Sequence, residues 1–127
     1  MKENLQQNIF TAQALADKSK AYFHAQQYWE NNDEENAVKW AIQAMRLGSQ
    51  NLAPKLLIEI AETTRSKSTA FTLASYYWDQ KDLKKAMHWA TTAKEYGSNH
   101  LADKLIAEIT AHQNALDLEQ QISQFSN

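Results

Sequence analysis

Apolar residues recur along this chain every three to four positions, the period of a helix with one buried face. Leu5, Ile9, Ala12 and Ala16 begin the pattern, and Ala21, Ala25, Tyr28 and Trp29 continue it. No breaker interrupts it before Asn31, so one long helix or two collinear ones are expected over about 3–31. Asn31-Asn32 then forms a short polar turn, and Asp33 is placed to accept hydrogen bonds from the free amides of a second helix. That helix carries Ala37, Trp40, Ala41 and Ala44 on one face. Small residues there admit a neighbouring helix, and the indole fills the gap. Gly48 stands where a helix closes on a left-handed residue. In the third helix Leu52, Leu56 and Ile60 form the stripe, and Pro54, lacking an amide proton, fits only in the first turn. This places the helix start at or after Gln50.

The whole pattern then returns 49 residues later. Segments 19–60 and 68–109 align without a gap and are identical at 18 of 42 positions, which is duplication. Ala70, Ala74, Tyr77 and Trp78 repeat the end of the first helix, and Asp82 repeats the cap. Ala86, Trp89, Ala90 and Ala93 repeat the second helix and Gly97 its end. Leu101, Leu105 and Ile109 repeat the third, with Asp103 in place of Pro54. Segment 63–68, TTRSKS, is polar and a poor helix former, so the break between copies is expected there. Beyond Ile109, Ala115, Leu118, Ile122 and Phe125 extend the last helix. The expectation is a single all-α domain over 1–127: an N-terminal helix (1–18), repeat 1 (19–67), repeat 2 (68–113) and a C-terminal capping helix (114–127). That is two three-helix units with capping helical termini, as stacked arrays need.

Composition adds exclusions. Two glycines and one proline suit a mostly helical chain, and without cysteine there is neither a disulfide framework nor a thiolate metal site. A net charge of −2 lacks the basic footprint of a nucleic-acid binder. No apolar run reaches signal-peptide or membrane-spanning length, so no membrane insertion by this chain is expected. A cytoplasmic protein is expected, or a soluble domain of a larger or membrane-anchored one.

On these residues the chain resembles the tetratricopeptide family. Ala21, His24, Ala25 and Tyr28, followed by Ala37 and Ala41, occupy the family's spacing; so do Ala70, Leu73, Ala74 and Tyr77, followed by Ala86 and Ala90. The second helix of copy two is similar to the related Sel-type repeat in Asp82, Lys85, Ala86, Trp89, Ala93 and Gly97, with only Asn36 departing in copy one. Alanine replaces the family's glycine at Ala25 and Ala74, serine its closing proline at Ser49 and Ser98, and the period is 49 rather than 34. The resemblance implies a scaffold that binds proteins, its concave face lined by the first helix of each hairpin. Carried over singly, the partner-binding positions are Tyr22, Gln26, Trp29 and Glu30 in copy one, and Phe71, Ser75, Trp78 and Asp79 in copy two; the alternative is that the third helix of copy one fills this face and buries Tyr22 and Trp78.

Other residues have plainer readings. The tryptophans recur at equivalent sites and read as packing, above all Trp40 and Trp89. His24, His88, His100 and His112 recur at no equivalent positions and show no metal-ligand spacing, so they read as surface residues. Glu59 and Glu108 pair with Lys55 and Lys104 on a solvent face. With so few glycines there is no phosphate loop or nucleophile elbow. Glu30, Asp33, Glu34 and Glu35 make the first turn acidic, while Lys81, Lys84 and Lys85, with His88 a turn on, make the second basic. The plainer reading of both turns is a solvated, helix-capping surface; because the lysines oppose the dipole of the helix they begin, the second reading is a docking site for an acidic partner. Pairing acidic with basic turns between chains would give weak, heterologous self-association. The reading is a non-enzymatic protein-interaction or assembly module without a cofactor. The alternative is a regulatory domain holding a small ligand between its copies.

Overall fold

The computed structural model describes residues 2–125, with side chains from residue 16 onward. The described residues form six helices and no strand: α1 (Lys2–Glu30), α2 (Glu34–Arg46), α3 (Leu52–Thr64), α4 (Lys67–Asp79), α5 (Leu83–Glu95) and α6 (His100–Phe125). The chain is all-α, and α1 is a single helix. The stripe residues Leu5, Ile9 and Ala12 lie outside the described side chains. The backbone divides into two compact units, Met1–Thr63 and Thr64–Asn127.

Equivalent residues set equivalent boundaries. Asp33 and Asp82 cap α2 and α5, each accepting from the amide three residues on (Asn36 and Lys85) at 3.2 Å. Gly48 and Gly97 end these helices with φ of 108° and 115°. There Ser49 N–H donates to the Ala44 carbonyl and Ser98 N–H to the Ala93 carbonyl, both at 2.9 Å, while the glycine amides reach Met45 and Lys94 at 3.0 Å. That is the Schellman closure, which satisfies the last free carbonyls. The same closure ends α1 and α4, with Asn32 and Lys81 in the left-handed position and the amides of Asp33 and Asp82 donating to Tyr28 and Tyr77 at 2.9 Å. α1 and α4 therefore stop at polar residues where a glycine would be usual.

In the first unit α1 packs on α2; in the second α4 packs on α5, and α6 lies on α5 and touches α4. Ala21, Ala25, Ala37, Ala41 and Ala44 are buried in the first unit, and Ala70, Ala74, Ala86, Ala90 and Ala93 in the second. Pro54 lies in the first turn of α3 and is buried. Asp103, its counterpart, reaches across to Lys94 at 2.8 Å and ties α6 to α5. The helices break within the expected segment, at Ser66, which caps α4. The extension of α6 is helical to Phe125, but Ala115, Leu118, Ile122 and Phe125 are all exposed, so this stripe covers none of the core.

Candidate functional site

Tyr22, Gln26, Trp29 and Glu30 fall on one side of α1, and α3 lies along that side. Tyr22 lines a depression with Leu52, Lys55, Leu56, Ile58, Glu59, Glu62 and Thr63 of α3. Gln26, Trp29 and Glu30 line a second, of about 490 Å³, with Asn32, Glu59 and Thr63. Glu59 and Thr63 border both, so the two depressions adjoin between α1 and α3. Tyr22, Gln26 and Trp29 are half-buried and Glu30 is exposed. All four first-copy candidates thus gather in one cleft.

The second copy does not match it. Phe71 lines a depression of about 460 Å³ with Lys67, Ser68 and Thr72 of α4 and the chain from Gly97 to Leu101. Two turns on, Trp78 meets the His112 ring of α6 edge-on at 5.6 Å, and the Lys81 ammonium lies 4.2 Å from its centroid. Ser75 is half-buried and Asp79 exposed. Phe71 and Trp78 are therefore separate features, with the second already packed by its own unit.

The secondary, basic candidates are also engaged. Lys81 sits on Trp78, while Lys85 pairs with Asp82 at 3.8 Å and lies 5.4 Å from the Tyr77 ring. Aromatic faces and a carboxylate thus hold two of these cations against the dipole they oppose. Lys84 is simply exposed. On the acidic turn, hydrogen bonds from the side chain and then the amide of Asn36 hold the Asp33 carboxyl below the usual carboxylate range.

The histidines divide, against the expectation that all are surface residues. His88 and His100 are exposed, but His24 and His112 are half-buried against Trp40 and Trp78. For His24 the signal was available in the alignment, since it stands opposite Leu73, a core position; His112 lies beyond the aligned segments. Glu59 and Glu108 are exposed, as expected of the solvent side of a helix. Among the described residues neither Lys55–Glu59 nor Lys104–Glu108 closes into an ion pair, and Glu59 borders the cleft.

No group of three or more His, Asp or Glu gathers as a metal site among the described residues, and no described helix is long and apolar enough to cross a membrane. Comparisons with family models, with curated proteins and with solved structures find no match for this chain.

Proposed function

We propose that the chain is a non-enzymatic, tetratricopeptide-like module for protein–protein interaction or assembly, working in the cytoplasm. Its partner docks in the α1–α3 cleft of the first unit. The observation that carries this reading is the convergence of Tyr22, Gln26, Trp29 and Glu30 on one cleft, where two half-buried aromatics offer rigid, amphipathic contact area. Aromatic residues of that kind dominate binding energy at protein interfaces. The basic turn at Lys81, Lys84 and Lys85 is the secondary surface, weakened by its internal contacts.

The test is affinity capture from the source cell with wild type and the Tyr22→Ala/Trp29→Ala variant. The variant is expected to keep its helical circular dichroism while binding of the captured protein weakens by about 1–3 kcal/mol. A wild type that captures no protein, or a folded variant that captures it undiminished, contradicts the proposal.

A further inference from the structure

The duplication supplies an internal comparison for the cleft. Six residues line its second depression: Gln26, Trp29, Glu30, Asn32, Glu59 and Thr63. Their counterparts 49 positions on are Ser75, Trp78, Asp79, Lys81, Glu108 and His112. The indole and both carboxylates are retained. The two residues that differ most are those that pack on the indole in the second unit, where Lys81 lays its ammonium over Trp78 at 4.2 Å and His112 meets the ring edge at 5.6 Å. In the first unit a short amide and a hydroxyl stand in their places. Among the described residues the Trp29 ring has no aromatic or cationic neighbour, and neither Glu30 nor Glu59 has an ion pair.

The lining of this depression therefore carries two carboxylates, one indole and no basic residue, with Lys55 in the adjoining one. Such a set attracts a cation: the ring quadrupole favours positive charge over its face, and the two exposed carboxylates add a field of the same sense that salt screens. The second unit contains a cation at the matching place, supplied by its own chain. We infer that the first unit takes the same cation from outside, as the lysine or arginine side chain of a basic segment in a protein partner. This deepens the interaction reading and rests on it, naming Trp29 as the face for the cation and Glu30 and Glu59 as its counter-charges.

The test titrates a hexalysine peptide into the full chain and follows the Trp29 indole N–H resonance, assigned by its loss in Trp29→Phe. Hexaglutamate serves as the control. Hexalysine should shift that resonance saturably and more weakly as salt rises, while hexaglutamate should not. Asn32→Lys installs the second unit's own cation. Lys81 already holds the same left-handed backbone, φ 60° against 62° at Asn32, so the variant should fold. It should weaken hexalysine binding by about tenfold. Glu59→Gln, which keeps the shape of the cleft, should weaken it by about threefold. An indole resonance that hexalysine leaves unmoved, or equal affinity in Asn32→Lys, overturns the inference. Partner capture read in parallel separates the two claims. A chain that captures a protein but ignores hexalysine retains the interaction reading and loses the cation cleft. One that binds hexalysine through Trp29 but captures no protein retains the cleft and loses the reading.

Discussion

Trp89 is 5% exposed, while its counterpart Trp40 is half-buried, its ring 4.7 Å from His24 where the second unit has the fully buried Leu73. The alignment predicts both indoles as core, and only one is fully so, because a polar ring replaces an aliphatic side chain beside the other. Trp89→Ala is expected to cost ~3–5 kcal/mol and Trp40→Ala about half of that, measured by chemical denaturation. Asp33 allows a pH prediction at the same scale. Its carboxyl is lowered in the folded chain by its bonds to Asn36, so its contribution is complete above the ordinary carboxylate range. It is lost as pH falls through the lowered folded value. The Asn36 amide resonance should report this step, and Asp33→Ala should flatten it. These partnerships were legible in part: an aspartate directly after a short polar turn marks a cap, whereas the meeting of His24 with Trp40 depends on two helices packing.

At the scale of the elements, caps and closures decide where each helix stops. Gly97 has φ of 115°, and a Cβ added there would meet Lys67 Cδ at an ordinary contact distance of 3.9 Å. Gly97→Ala should therefore cost ~1–3 kcal/mol through backbone strain alone, with no rearrangement of neighbours, as a thermal melt would record. The end of α6 behaves oppositely. Every described residue after His112 is exposed, so removing 114–127 should change stability by less than ~1 kcal/mol. Helix ends were legible because Asp, Gly and Pro act within a few residues. The role of Ala115, Leu118, Ile122 and Phe125 was not, since a stripe gives periodicity but not what covers it.

For the molecule as a whole, the repeat made the all-α architecture readable and put Tyr22, Gln26, Trp29 and Glu30 on one side of a helix. The sequence was silent on how far copy two had closed its own site, because that depends on Lys81 and His112 folding back onto Trp78 from a turn and a distant helix. The two copies differ at their matching tryptophans, for Trp78 carries Lys81 and His112 where Trp29 has Asn32 and Thr63. The account's central claim is that a protein docks on the first copy at that place. Its most direct measurement is site-specific photocrosslinking in the source cell, with the crosslinking residue at Gln26 in the cleft or at Gln43, exposed on α2. The account predicts a protein adduct from Gln26, mapping to a lysine- or arginine-rich segment of the partner, and none from Gln43. An adduct from Gln43 alone, or none from Gln26, would contradict it.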